Sequence, residues 1–140
     1  MPEPDEIARR SADAMWSSDT ASKMLGIVLE DVSPGEARLS MEVRPDMVNG
    51  HDLCHGGLIA TLADSAFAFA CNSHGVVTVA AGFSIDFLEA AHLGDHLTAY
   101  ATEVSRRGRS GLYDVTVRRG DTVIAEFRGR SRSLNRPAAG

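Results

Sequence analysis

From Leu58 to Cys71 the chain carries only three polar side chains, Thr61, Asp64 and Ser65. The run is too short and too interrupted to span a bilayer, so it reads as a helix buried in a protein core. Alanine-rich turns on both sides of Asp64 favour helix, and their small side chains let other elements pack close. Asp64 is the anomaly. An ionised carboxylate taken out of water without a partner costs several kcal/mol or shifts its pKa. Aspartate also prefers caps and turns to mid-helix positions. Either Asp64 has a structural partner, or it sits where a helix face meets a ligand.

The flanks bound this helix. Before it runs a polar loop with Asn49, Gly50, His51, Asp52, Cys54 and His55, followed by Gly56-Gly57. After it come Asn72-Ser73-His74-Gly75, where Gly75 suits a helix stop. Upstream, residues 5–16 form a short, weakly amphipathic helix candidate with Ile7, Ala14 and Met15 near one face and Trp16 packing down. Asp19-Thr20 is a cap for a second short turn that ends at Leu25-Gly26. Ile27 to Val32 reads as a strand, and Ser33-Pro34-Gly35 as a turn. Ala37, Leu39, Met41 and Val43 alternate with Glu36, Arg38, Ser40 and Glu42, a strand with one wet face.

Downstream of Gly75 the helical signals vanish. Thr78–Leu88 alternates through Phe83, Ile85 and Phe87, and Leu93-Gly94-Asp95 turns the chain. His96–Ser105 is a strand, Arg106–Gly111 a loop, and Leu112–Arg118 a strand with Tyr113, Val115 and Val117 on one face. Arg119-Gly120-Asp121 is a hairpin turn, and Thr122–Ser133 the last strand with Val123, Ala125 and Phe127 inward. Asn135–Gly140 reads as a frayed tail. The order predicts an α+β protein, an antiparallel β-sheet wrapped around one long central α-helix. That helix is apolar on more sides than one sheet can cover, so its remaining flank is expected to face another subunit of a homo-oligomer.

Length and composition fit this picture. At 140 residues and 44% hydrophobic content the chain suits a single domain, 1–140, with its core at about residues 20–133. The N-terminus is acidic and polar, with no apolar segment of a secretory signal. Cys54 and Cys71 form neither a CxxC pair nor a disulfide framework, so a reduced cytoplasmic setting is expected. The net charge of −5 conceals an asymmetry. From Arg106 to the end there are nine Arg against Asp114, Asp121 and Glu126, and thirteen of the fourteen basic residues are Arg. Arg forks suit phosphate recognition, although any one of these can equally be part of a solvated strand face. An acidic chain with few aromatics argues against nucleic acid and for a small phosphorylated ligand.

One set of motifs goes further. The run NGHxxCHGG from Asn49, the LAD ending at Asp64, and AFAxACNS after it resemble the hotdog-fold acyl-CoA thioesterases, in particular their PaaI-like branch from phenylacetate degradation. SIDFL at Ser84–Leu88, LGD at Leu93–Asp95, GLYDV at Gly111–Val115 and EFRGRS at Glu126–Ser131 extend the resemblance over residues 20–133. It implies a dimer whose sheets join, with active sites at the subunit interface, and commonly a tetramer of two dimers. It implies hydrolysis of an acyl-coenzyme A thioester, with no metal or redox cofactor, since coenzyme A belongs to the substrate. In this branch the acyl groups are phenylacetyl and its ring-hydroxylated relatives.

The resemblance assigns roles residue by residue. Asp64 is the catalytic carboxylate, as general base on water or as nucleophile; the sequence leaves both open. Its structural alternative is a carboxylate bonded to Thr61 or to a loop amide. The Gly56 amide, at the helix start, is the oxyanion donor, with Gly57 beside it in the substrate path. Helix N-terminal N–H groups are unpaired and partly positive, which suits that role. Asn49 holds the attacking water or the substrate carbonyl, or simply makes an Asn-Gly turn. His55 contacts the thioester region or caps the helix. Arg106, Arg109 and Arg130 are candidates for the coenzyme A phosphates.

Rival chemistries fit less well. Cys54 and His55 are sequence neighbours with no third orienting group, a poor nucleophile pair. Cys71 reads as core, and His51 and His74 as loop residues. His51, His55 and Asp64 lack zinc-site spacing. A hotdog hydratase would use an Asp-x-Asn-Pro-x-His pattern. Asp46, Asn49 and His51 are a loose match to it, off by one position and without the proline. A third reading is a module that binds acyl-CoA without turnover. Asp64 argues against it, because a buried carboxylate beside an anionic ligand is an odd feature in a pure binder.

Overall fold

The computed structural model of the chain describes residues 2–137. Two N-terminal helices come first, α1 (Pro4–Ser18) and α2 (Thr20–Met24). Strands β1 (Val28–Ser33) and β2 (Glu36–Glu42) follow, then a 3₁₀ turn at Pro45–Met47. The long helix α3 (Gly56–Cys71) precedes β3 (Val76–Phe87), β4 (His96–Arg107), β5 (Ser110–Arg119) and β6 (Thr122–Pro137). The strands form one antiparallel six-stranded sheet in the order β1-β2-β4-β5-β6-β3. This is the α+β architecture expected, with α3 lying across β2, β4 and β5 and reaching β6 and β3 less fully.

Small residues bring helix and sheet together. Ala63, Ala66 and Ala70 are fully buried on the sheet-facing side of α3. Phe67 projects onto Gly129 of β6, where an added β-carbon would meet three ring atoms at 2.8 Å. The ring also lies 5.7 Å from both Tyr113 and Phe127, in tilted aromatic packing. The N-terminal helices close the other flank. Ser22, on α2, meets Ser65 Oγ at 2.9 Å, and Asp19 caps α2 by accepting from Ser22 N–H at 3.0 Å. Ser11 of α1 donates to the Asn72 carbonyl at the end of α3. Gly75 turns the chain there with φ +83°, pressed against Ile7.

Several expectations need correction. In α1 the buried residues are Ala8, Ser11 and Ala12, and Ala14 is exposed. Ser40 is buried rather than wet, because its hydroxyl donates to Glu30 at 2.6 Å. The segment 106–111 is not a loop: β4 and β5 pair out to Arg107–Ser110, leaving a two-residue turn in which Gly108 has φ +60°. Val123 is half-buried while its neighbour Ile124 is buried, because a bulge opposite Val117–Arg118 shifts the alternation. Asn135 to Pro137 continue β6 rather than fray, and residues 138–140 lie outside the described residues.

β3 is the informative strand. A bulge between Ala80 and Gly82 changes which residues face the helix side. Beyond it, Phe83, Ile85 and Phe87 sit opposite Gly129, Phe127 and Ala125, on the inner face. Yet β3 is an edge strand that α3 covers only in part, so Phe83 stays 43% and Phe87 50% exposed.

Candidate active site

The Asn49 loop is built around one side chain. Asn49 Oδ1 accepts from the N–H groups of His51 (2.8 Å) and Leu53 (3.2 Å). Its own N–H donates to the Leu53 carbonyl at 2.7 Å, and its carbonyl accepts from Asp52 N–H, whose φ is +61°. The oxygen organises the loop, and the NH₂ group takes no partner among the described residues. The loop leads to His55, the N-cap of α3, whose side chain makes no capping bond. His55 is exposed, with its ring Nδ1 alongside Gly57. Its N–H donates to the Met47 carbonyl at 2.8 Å, and its carbonyl accepts from Leu58 N–H.

That leaves the N–H groups of Gly56 and Gly57 without acceptors among the described residues. They lie at the positive end of a 16-residue helix. Phe87 covers Gly56 from the sheet side, its ring 3.0 Å from where a β-carbon would stand.

Asp64 lies two turns further along. Gly57, Ala60, Thr61, Asp64 and Ala68 recur at helical spacing, and none of them is fully buried, whereas the sheet-facing positions are. Asp64 stands in the middle of this open stripe. No group among the described residues donates a hydrogen bond to it. Thr61, the structural partner considered above, donates instead to the Gly57 carbonyl at 2.9 Å. Burial pushes the Asp64 carboxyl above the ordinary aspartate range, with no cation nearby to lower it. The stripe therefore presents a half-buried carboxylate, unpartnered among the described residues, whose protonated form burial favours.

A polar cavity of about 280 Å³ opens at the other end of α3. Buried Cys71, Thr78 and Ser131 line it with His74 and Gly111, and the exposed Arg106 and Arg109 stand at its rim. Sequence reasoning missed the network beside it. Glu103 accepts from Tyr113 OH at 2.8 Å and lies 2.7 Å from His74 Nε2. Burial alone would raise the Glu103 pKa, but these two hydrogen bonds and the neighbouring His74 and Arg106 hold it below the usual range. Burial, together with Glu103, pushes the Tyr113 phenol far up. The signal for this network is the pairing of Glu103 with Tyr113 across β4 and β5, which is invisible without the strand register.

Arg130 does not join Arg106 and Arg109. Arg106 pairs through Gly111 with buried Ser131, on the inner face, whereas Arg130 projects from the outer face and lies over Gly82. The two thiols are free and buried. Burial and the Asp95 charge raise the Cys54 pKa, and Cys71 is pushed up, chiefly by burial, to about 12. Both are therefore protonated and poor nucleophiles at neutral pH. Asp46 is exposed and paired with Arg44 at 3.1 Å, and His51 is exposed, which gives the hydratase pattern no support. No group of three or more His, Cys, Asp or Glu among the described residues could hold a metal ion. No helix among them is long and apolar enough to cross a membrane.

The profile of the thioesterase superfamily matches residues 51–126, from the loop before α3 into β6. The chain belongs to the thioesterase superfamily. Among relatives within it, the acyl-coenzyme A thioesterase PaaI of Escherichia coli (strain K12) is 41% identical over 128 residues, covering 91% of each chain. The solved structure of the E. coli PaaI protein from the phenylacetic acid degradation operon superposes with a TM-score of 0.94 at 38% identity, over 96% of this chain and 99% of that one. The TT0310 protein of Thermus thermophilus gives 0.80 at 36% identity, over 83% of this chain and 98% of its own. The hotdog fold and the thioesterase resemblance read from the Asn49–Gly75 motif are thus both borne out, and the motif spans the loop before α3, the helix itself and the turn after it.

Proposed function

We propose that this thioesterase hydrolyses acyl-coenzyme A, with phenylacetyl or ring-hydroxylated phenylacetyl as the acyl group, in cytoplasmic phenylacetate catabolism. One observation carries the reading. An unpartnered, half-buried carboxylate and two free helix N-terminal N–H groups share the open side of a single helix. The amides of Gly56 and its neighbour Gly57 polarise the thioester carbonyl and stabilise its oxyanion, a contribution of about 2.7–4 kcal/mol per donor. Asp64 either takes the proton of an attacking water, or attacks the carbonyl carbon and expels the coenzyme A thiolate, leaving an acyl-aspartyl anhydride that water then hydrolyses. The free NH₂ of Asn49 and the ring of His55 border the same carbonyl. The product acid and coenzyme A thiol leave without any cofactor.

Spacing argues that two subunits build each site. Eight residues of helix separate Gly56 from Asp64 by about 12 Å. Direct attack needs a donor about 3 Å from the carbonyl oxygen and a nucleophile about 3 Å from its carbon, a shorter span. The Asp64 side chain leans back over only part of the gap. The uncovered β3 edge, with Phe83 and Phe87 half-exposed, is where a second copy would extend the sheet and bring its own Asp64 near this Gly56. The same rings then offer apolar walls for an aromatic acyl group. Two such dimers would make the tetramer that the resemblance implies. Arg106 and Arg109, at the cavity rim, hold the coenzyme A phosphates; Arg130, on the opposite face, is left out of this assignment.

Thiol release from phenylacetyl-coenzyme A, followed with a thiol-reactive dye, tests the reading. Rapid release by the wild type and its collapse in a folded Asp64→Asn variant are expected. Release that survives the substitution places the chemistry elsewhere.

A further inference from the structure

The segment that aims the Gly56 amide hangs from two backbone carbonyls. His55 N–H donates to Met47 O at 2.8 Å, and Cys54 N–H donates to Ala91 O at 2.8 Å. Met47 sits in a 3₁₀ turn that closes on itself through its own N–H and the Arg44 carbonyl. Ala91 lies in residues 88–95, which join β3 to β4 without helix or strand. Backbone bonds anchor both ends of that segment, from the Leu88 and Glu89 N–H groups to the Ile124 carbonyl and from Val43 N–H to the Asp95 carbonyl, but among the described residues none of them reaches Ala90 or Ala91, whose carbonyls can shift unless something holds them.

Arg119, the last residue of β5, supplies the hold. Its Nη1 donates to the Ala90 carbonyl at 2.6 Å and lies 3.5 Å from Asp95 Oδ2. Asp95 in turn accepts from His92 N–H at 2.8 Å, so the guanidinium grips the segment on both sides of Ala91. Ala91 itself is fully buried, and the short bridge between Leu53 and His92 continues the contact with the Asn49 loop. The Asp95 charge is close enough to Cys54 to raise its thiol pKa, which agrees with this packing.

We infer that Arg119 is a positioning residue for the oxyanion-binding turn: by fixing Ala90–Ala91 against β5, it sets where Cys54, and hence the Gly56 N–H, points. Arg119 touches no substrate in this role. The inference rests on the thioesterase reading above for its catalytic half and on the hydrogen-bond chain for its structural half. A displaced donor weakens transition-state binding while leaving ground-state binding nearly untouched, so the effect belongs in kcat.

The test compares full-length wild type, Arg119→Gln and Arg119→Lys in two assays. In phenylacetyl-coenzyme A hydrolysis, Arg119→Gln lowers kcat by about 10- to 100-fold with KM within about twofold, and Arg119→Lys, which keeps one charged donor, recovers part of the loss. In hydrogen exchange read by mass spectrometry, Arg119→Gln speeds exchange in peptides spanning residues 49–57 and 88–95 and leaves the β2 and β6 peptides unchanged. Unchanged exchange at 49–57 overturns the inference whatever the kinetics show. Faster exchange there with unchanged kcat overturns the positioning role, as does Arg119→Lys behaving no better than Arg119→Gln. A wild type that hydrolyses no acyl-coenzyme A instead defeats the thioesterase reading, and the exchange data still decide whether Arg119 braces the turn.

Discussion

The ring of Phe87 rests on Gly56, so close that a β-carbon on that glycine would stand 3.0 Å from the ring tip. An aromatic from the edge strand thus seals the back of the helix N-terminus while its N–H groups stay open in front. Gly56→Ala gains up to about 1 kcal/mol of helix propensity, but it must push the ring aside. The expected variant melts within a few degrees of wild type and loses at least about tenfold in kcat. Gly57→Ala meets only His55 Nδ1 at 3.7 Å, an ordinary contact, and should melt higher than wild type. Thermal melts of both variants, with kinetics of the first, check this. Equal kcat in Gly56→Ala and wild type would mean the Phe87 contact has no bearing on the donor.

Asp64 couples activity and stability to pH in opposite directions. Its folded pKa is raised by burial, so folding favours the protonated form. The resulting stability is fully present below the ordinary aspartate pKa of about 3.9 and is lost as pH rises through the folded value. Asp64→Asn removes a desolvated charge and should therefore melt higher than wild type at pH 7, with the gain shrinking as the pH is lowered toward 4. Hydrolysis needs the ionised form, so kcat/KM should fall on an acid limb above the ordinary aspartate range, and kcat should drop by about 10²–10⁴-fold in the variant. A variant that melts lower at pH 7 would show that Asp64 has a stabilising partner after all.

Arg106 and Arg109 flank a cavity that also presents Ser110, Ser131 and Ser133 hydroxyls. Guanidinium groups at such a rim bind phosphate by charge and by paired N–H donors. Removing both as Arg106→Ala/Arg109→Ala should raise KM for acyl-coenzyme A about tenfold or more and leave kcat nearly intact. The wild-type KM should also rise with ionic strength more steeply than that of the double variant. A fall in kcat at unchanged KM would remove these residues from the phosphate site.

The strands were legible from periodicity because the sheet buries one face, with the three inner positions of β5, Tyr113, Val115 and Val117, alternating without interruption, and the helix was legible from its apolar, alanine-rich run. Reading failed where a bulge or a tertiary bond intervened. The register shifts at Ala80–Gly82 and at Val117–Arg118 change the facing residue, and nothing local announces them. Ser40 went inside because Glu30 on the neighbouring strand satisfies it. The site motif could be read because Asn49, Gly56 and Asp64 lie within one loop-helix segment. Phe87 and Glu103, on later strands, and His74, in the turn after α3, are brought to their partners only by tertiary packing and could not be. Gly129 illustrates the limit: it looks like a strand breaker in sequence, yet it is the seat of Phe67. Gly129→Ala would drive a β-carbon into three atoms of a buried ring held among Tyr113 and Phe127, and should destabilise the fold by about 1–3 kcal/mol in urea unfolding. A neutral or stabilising result would mean that the core around Phe67 yields.

Whether one chain or two assemble each site can be decided by mixing two inactive variants. Asn49→Asp keeps an acceptor oxygen for the His51 and Leu53 N–H groups but loses the free NH₂, so it marks the Gly56 side without dismantling the loop. Asp64→Asn marks the carboxylate side. If each site takes Gly56 from one subunit and Asp64 from its partner, a mixed dimer holds one doubly altered site and one unaltered site. Random exchange at equal amounts makes half the dimers mixed, so the mixture should recover roughly a quarter of wild-type activity. If both groups come from the same chain, every site in every dimer carries one lesion and nothing is recovered. Refolding the variants together from denaturant and assaying thiol release gives the answer, with light scattering to confirm that the mixed species is a dimer or larger. A folded monomer that retained full activity would contradict the shared site directly, since the β3 edge and the open stripe of α3 would then be complete without a second copy.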